Sequence, residues 1–254
     1  SKLYQISKYE LLMTVRAQNE NKKLLVSIHP MYARVQLTQL NYPTPDFPNA
    51  LTMFLRKHIE GSFIERIEQV GLDRILKITL RGRNEFKDLV EYHLYIEIMG
   101  KHSNFILTNK EDKILECLKR VSPSDSIRIM QPGITYSYPP LLDKKNPFEN
   151  TPETTNLVKE FEGFSKDLAE EAASRMEQGE DFKTIMNEIK ESKELYITRG
   201  DKEKYHVIPL HCFGKKIDQY SLFDGLDAYY QFIDQKDRIK QQTSDILHFI
   251  QKEY

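Results

Sequence analysis

Short apolar runs separated by turn residues fill the first 140 positions of the chain. "YELLMTVRA" (9–17), "KKLLVSIHP" (22–30) and "ARVQLT" (33–38) come first. "SFIERIEQV" (62–70), "RILKITLRG" (74–82), "VEYHLYIEIMG" (90–100), "SNFILTN" (103–109) and "KILECLKRV" (113–121) follow. Two of these alternate with the period of a strand, in which successive side chains point to opposite faces. Leu76, Ile78 and Leu80 interleave with Lys77, Thr79 and Arg81. Val90, Tyr92, Leu94, Ile96 and Ile98 form one face of the other, leaving His93, Tyr95, Glu97 and Met99 on a face expected to be open. So many short strands joined by tight turns predict an antiparallel sandwich or barrel.

One helix interrupts them. In "NALTMFLRKHIEG", Leu51, Phe54, Leu55 and Ile59 share a face, which places Arg56 and Lys57 on the outer side. Asp46 is the expected cap, Pro48 suits the first turn and Gly61 the end. A proline-rich joint, "SYPPLLDKKNPFENTPE" (137–153), marks a boundary. Helices are predicted beyond it over 152–162, 165–176 and 181–193, with Gly163 turning the chain between the first two. A hairpin is predicted over 194–212. From Ser221 onward no proline intervenes. Leu226, Tyr229, Ile233, Leu247, Ile250 and Tyr254 recur near helical spacing around the polar "DQKDRIKQQTSD", as at the base of a coiled-coil arm. The pattern therefore predicts an α+β chain. Its parts are a strand-rich, sandwich-like domain over 1–140, a helical domain with a short hairpin over 150–215, and an arm from 220 to 254.

Composition narrows the function more by exclusion than by indication. The 254 residues are 39% hydrophobic, enough for more than one core. No apolar run reaches membrane length, so no membrane insertion is expected. No signal-like segment opens the chain either, although it starts without Met in a strand-like pattern, and the natural protein is expected to extend further. Cys117 and Cys212 sit in separate apolar contexts and are expected to be reduced, buried thiols. No metal spacing, dinucleotide fingerprint, P-loop or GxSxG occurs, so no cofactor or metal is expected. His102 and Ser103 are neighbours on a predicted strand, where their side chains diverge and cannot work as a catalytic couple. A binding protein is the class that survives, not an enzyme.

Charge is unevenly spread. Residues 1–142 hold 20 Lys and Arg against 15 Asp and Glu; residues 143–254 hold 17 against 23. A basic front permits contact with a polyanion. Three patches offer themselves: Asp73–Arg74 with Lys77, Arg81 and Arg83; Glu97 and its neighbours running into Lys101 and His102; and Arg56–Lys57 on the helix. Such groups can contact phosphates, ribose hydroxyls and unpaired bases. They serve equally as the polar outer face of a sandwich, and composition leaves both readings open.

Three segments in order, "LVSIHPMYARVQLT", "LRKHIEGSFIERIEQVGLDRI" and "YIEIMGKHSNFILTN", resemble the N-terminal domain of the NFACT family. Its bacterial members are the RqcH-type factors and proteins long labelled fibronectin/fibrinogen-binding. "FEGFSKDLAEE" resembles the helix–hairpin–helix module that follows in the family, and the terminal helix the entry to its coiled-coil arm. The resemblance implies a fold related to formamidopyrimidine-DNA glycosylase. That enzyme attacks through an N-terminal proline, whereas Ser1 stands first here, so its activity is not carried over. It further implies a cytoplasmic, ribosome-associated factor of quality control. Such a factor binds the large (50S) subunit carrying stalled peptidyl-tRNA and recruits tRNA, in bacteria alanyl-tRNA, for C-terminal tailing.

By the same resemblance, Asp73–Arg74 in "GLDRI" and Glu97–Ile98–Met99 match the family's tRNA-recruiting motifs. Alternation puts Ile98 on the buried face, where it positions Glu97 rather than touching RNA. Lys101, His102, Arg56 and Lys57 join the candidate tRNA contacts on electrostatic grounds alone. A short acidic, apolar helical segment that begins family members has no counterpart here, and any tRNA contact it supplies is expected to be lost. The C-terminal part of the arm and the last family domain have none either, so weak ribosome anchoring is expected. The alternative that the older label implies is a cell-surface adhesin for fibronectin or fibrinogen.

Overall fold

A computed structural model describes residues 2–253 and divides them into two compact units. Residues 2–37, 41–150 and 156–164 make the first; 38–40, 151–155 and 165–253 make the second.

The first unit is strand-rich, as the spacing predicts. Strands β1 (Leu3–Ser7), β2 (Glu10–Ala17), β3 (Glu20–Ser27) and β4 (Arg34–Thr38) form a four-stranded sheet in chain order. After helix α1 (Ala50–Ile59), β5 (Phe63–Gln69), β6 (Ile75–Arg83), β7 (Leu89–Glu97), β8 (Asn104–Asn109) and β9 (Ile114–Cys117) form a five-stranded antiparallel sheet, again in chain order. The inner faces of the two sheets share one core. Leu11, Met13 and Val26 meet Ile78, Leu94, Ile96 and Phe105, with Leu55 and Ile59 of α1. Each such Leu or Ile contributes about 1.5–3 kcal/mol on burial.

Asn49, rather than Asp46, caps α1: its side-chain oxygen accepts from the Thr52 N–H at 2.9 Å. Arg56 does not point outward. Its Nε donates to the Leu3 carbonyl at 2.9 Å and its guanidinium lies over the Tyr4 ring. Lys57 is exposed and pairs with Glu85 at 2.6 Å.

The largest departure concerns β7. The face carrying His93, Tyr95 and Glu97 is closed, not open: these residues are 7%, 0% and 1% exposed, and Met99 is half-buried. The strand predicted over 113–121 ends at Cys117, and the chain from 118 to 138, without periodicity beyond 121, folds back over that face. Met130 and Tyr136 pack there with Ile75, Tyr95, Ile106, Ile114 and Cys117. Val121 and Met130 bridge the base of the returning segment. Alternation distinguishes the two faces of a strand, but an irregular covering segment leaves no periodic signal of its own.

Helix α2 (Leu157–Glu160) is a single turn instead of the predicted 152–162. In the second unit, α3 (Lys166–Glu177) and α4 (Phe182–Glu191) start at side-chain caps from Ser165 and Asp181. The predicted hairpin is part of a three-stranded sheet, because β10 (Glu194–Arg199) pairs with both β11 (Lys204–His206) and β12 (Lys216–Ser221). β12 runs directly into α5 (Leu222–Glu253). Phe232, Ile239, Leu247 and Ile250 are exposed along α5, while Tyr254 lies outside the described residues. Cys117 is buried, and burial pushes its thiol up to about 12; Cys212, against expectation, is exposed. Among the described residues no helix is long and apolar enough to cross a membrane.

Candidate functional site

Antiparallel register joins two motifs that are 23 residues apart in sequence. Ile75 lies opposite Glu97 and the Ile98 N–H donates to the Arg74 carbonyl at 2.8 Å, so Asp73–Arg74 and Glu97–Ile98–Met99 meet at one rim of the five-stranded sheet. A tight turn between β5 and β6 presents the first pair. The Asp73 N–H donates to Val70 O, the Val70 N–H to Ile75 O, and the Gln69 side chain to the Asp73 carbonyl at 2.9 Å. Its backbone is pinned from both sides. Both side chains, by contrast, are exposed, and among the described residues neither carries a hydrogen bond or ion pair.

A second turn follows β7. Gly100, at φ +56°, allows a 3-10 turn over Gly100–His102, and the Ser103 hydroxyl accepts from the Met99 N–H at 2.8 Å. Ser103 is buried while Lys101 and His102 are exposed, so the hydroxyl and the imidazole part company. Residues 28–32 lie alongside, with the Pro30 carbonyl 3.5 Å from where a Cβ on Gly100 would sit. There His29 stacks on Tyr32, with ring centroids 4.8 Å apart, and Met31 projects at 76% exposure.

Glu97 has a different position from the one expected. Its carboxylate is inside, held by both Nη atoms of Arg128 (2.9 Å for the Nη1 bond) and by the Tyr136 hydroxyl at 2.8 Å. Arg128 also donates from Nε to Ser137 O at 2.7 Å and lies over the Tyr136 ring. Burial and the Glu97 carboxylate push the Tyr136 phenol far above its ordinary range. For Arg128, burial acts against the charge, but bonding to Glu97 outweighs it and the guanidinium is held more firmly protonated. Glu97 therefore anchors the covering segment under the rim. It does not face solvent, and Ile98 is half-buried, packed at the edge of the shared core. Sequence reasoning missed Arg128 and Tyr136, because both come from a segment with no periodic pattern.

The nine candidate residues thus divide. Asp73, Arg74, Lys101 and His102 share the rim, and Glu97, Ile98 and Met99 support it. Arg56 and Lys57 lie elsewhere: Lys57 pairs with Glu85, just beyond the other end of β6, roughly 30 Å away along a nine-residue strand. The basic row on β6 is also engaged. Arg81 pairs with Glu65 at 2.8 Å and Glu91 at 3.4 Å, Arg83 donates to Lys87 O, and Lys77 lies over the Tyr95 ring. Among the described residues no group of three or more His, Cys, Asp or Glu is placed to hold a metal ion.

A family model described as NFACT N-terminal and middle domains matches residues 1–254. The Rqc2 homolog RqcH of Bacillus subtilis is 37% identical over 277 residues, covering all of this chain and 49% of its own length. The chain spans about half the length of the curated relatives it matches. Among solved structures, the N-terminal part of the fibronectin/fibrinogen-binding protein from Streptococcus suis superposes with a TM-score of 0.80 at 33% identity, covering 91% of this chain and 90% of that one. The fibrinogen binding protein from Staphylococcus aureus gives 0.78 at 32%, covering 90% of each.

Proposed function

Because this chain belongs to the NFACT family, we propose that it is the tRNA-binding part of a ribosome-associated quality-control factor, with the rim at Asp73 and Arg74 as the contact surface. In this reading the whole protein sits on the 50S subunit beside stalled peptidyl-tRNA and recruits tRNA. Peptide transfer is left to the ribosome. Residues 150–215 serve as a helix–hairpin–helix module, and 220–254 as the base of a coiled-coil arm.

The observation that carries the proposal is an acid and a guanidinium held on a rigid backbone with free side chains. Surface charges that serve only solubility need no such pinning, and structural ones find internal partners, as Glu97 does. Arg74 is suited to a phosphate or a base edge, and Asp73 to a base amine or ribose hydroxyl. Lys101 supplies positive charge on the adjoining turn, and His102 an imidazole able to hydrogen-bond a phosphate or base. Glu97 enters as a positioning residue, because the β6–β7 end that carries Arg74 rests on its bonds to Arg128 and Tyr136.

The test is tRNA affinity of Asp73→Ala/Arg74→Ala, measured by fluorescence anisotropy. The expected loss is about tenfold or more, roughly 1.4 kcal/mol, with thermal unfolding unchanged because neither side chain holds the fold. Unaltered affinity would overturn the proposal.

A second reading, adhesion to fibronectin or fibrinogen, has its own support in strand β5. This edge strand exposes Phe63, Ile64 and Ile67, and an exposed edge can accept a further strand from a partner. Surface plasmon resonance against fibronectin, beside an unrelated protein of similar charge, separates specific pairing from stickiness.

A further inference from the structure

The turn between β1 and β2 consists of Lys8 and Tyr9, and its shape is fixed locally. The Ser7 hydroxyl donates to Glu10 at 2.8 Å and accepts from the Tyr9 N–H, while the Tyr9 carbonyl accepts from the Ile28 N–H. Lys8 is exposed, with its Nζ 5.3 Å from the centroid of the Tyr9 ring. A second ammonium, that of Lys119 just after β9, lies at the same 5.3 Å from the same ring. Lys119 is half-buried and donates to two carbonyls, Ile28 O at 3.3 Å and Lys101 O at 3.2 Å. One of its three N–H donors is left over.

Two like charges beside one ring repel, and such a pair is normally relieved by a carboxylate. Here none is bonded to either lysine among the described residues. The acids nearest in sequence are engaged elsewhere, Glu10 with Ser7 and Glu116 with Arg120. Burial, and then the neighbouring Lys8, hold the Lys119 amine below the ordinary lysine range, as expected of a cation without a counter-ion. The bond from Lys119 to the Lys101 carbonyl makes this pair continuous with the turn that presents Lys101 and His102.

We propose that Lys8 and Lys119, flanking Tyr9, form a phosphate-binding point for RNA that extends the footprint from the Asp73–Arg74 rim across the β1–β2 turn. The inference rests on the tRNA reading above and adds a second contact to it. Ammonium groups act as point charges on a phosphodiester, so this contact contributes affinity and register but no sequence preference. The Tyr9 ring beside both is held in place by packing on the core and by an edge contact with His29 at 5.5 Å between ring centroids.

Lys8→Gln is the decisive variant, because Lys8 is exposed and its side chain holds no hydrogen bond among the described residues. Its tRNA affinity is measured by anisotropy across a salt series, beside wild type and Asp73→Ala/Arg74→Ala. Loss of one phosphate contact makes the slope of log K against log[salt] shallower by about 0.7–0.9. The expected affinity loss at about 0.1 M salt is roughly three- to tenfold, with Lys8→Arg restoring both and thermal unfolding the same in all. A Lys8→Gln slope and affinity equal to wild type, while Asp73→Ala/Arg74→Ala binds weakly, would overturn this inference and leave the tRNA reading standing. No binding of tRNA by the wild type would overturn both.

Discussion

At one end of the five-stranded sheet Lys57 pairs with Glu85, and Arg81 with Glu65 and Glu91; at the other, Arg74, Lys101 and His102 have no acidic partner among the described residues. Both ends read as basic patches in the sequence. Strand register makes the difference. At the paired end Arg81 lies opposite Glu91 on β7 and opposite Phe63, two residues from Glu65, on β5, so carboxylates arrive within reach. At the free end the chain turns at Gly71 and Gly100, and the charges project from turns instead of facing a neighbouring strand. Positive residues are thus informative about binding only after the register has assigned their partners.

The largest expected effect tests what supports the free end. Arg128→Ala leaves the Glu97 carboxylate buried without its counter-charge, which costs about 3–5 kcal/mol when a buried pair is broken from one side. It is read as a lower urea midpoint, with tRNA affinity falling in the same variant. A wild-type midpoint would mean that Tyr136 alone satisfies Glu97, and the rim would lose its proposed anchor.

Acid sharpens the contrast from the paired end. His93 faces Asp112 through Nδ1 at 2.6 Å and Glu91 through Nε2 at 3.0 Å, and the Tyr95 hydroxyl donates to Asp112 at 2.7 Å. Burial by itself would raise the Asp112 carboxyl, but the bonds from His93 and Tyr95 outweigh it and hold it below the ordinary 3.8. Glu91, bonded to His93, is held below 4.5. A carboxyl depressed in the fold contributes stability above its unfolded pKa and loses it as pH falls through the folded value. The contribution of these two carboxylates is therefore level near neutrality and is lost below about pH 4, and across that range Asp112→Asn declines less steeply in urea titrations. Equal acid limbs would show that these carboxylates are not specially held.

The smallest effect is a control on charge. Lys57→Ala removes one positive charge, as Lys8→Gln does, but from the paired end. Its tRNA affinity is expected within about twofold of wild type, because screening over about 8–10 Å leaves little influence at roughly 30 Å. A loss matching that of Lys8→Gln would reduce the rim to general electrostatics.

What the sequence by itself determined follows from periodicity and turn chemistry. Eight of the nine strands of the first unit were legible as short apolar runs between turns, the last drawn four residues too long, while β1 was not set apart from the start of the chain. Helices α1, α3 and α4 were legible from their apolar stripes, although only the backbone geometry showed that Asn49, not Asp46, caps α1. "GLDRI" and "EIMGKH" were visible as motifs because chemistry is written in residue type. Only tertiary structure decided which faces were open. Residues 122–138 carry no period, yet they close the His93–Tyr95–Glu97 face and turn a supposed contact, Glu97, into an internal anchor. Helical spacing alone placed Arg56 outside, whereas the Leu3 carbonyl and the Tyr4 ring draw it in. Lys8 and Lys119 lie 111 residues apart and meet over one ring. The reason is general: a local pattern reports what a segment can do with its own neighbours, while exposure and charge pairing depend on which distant segment arrives beside it.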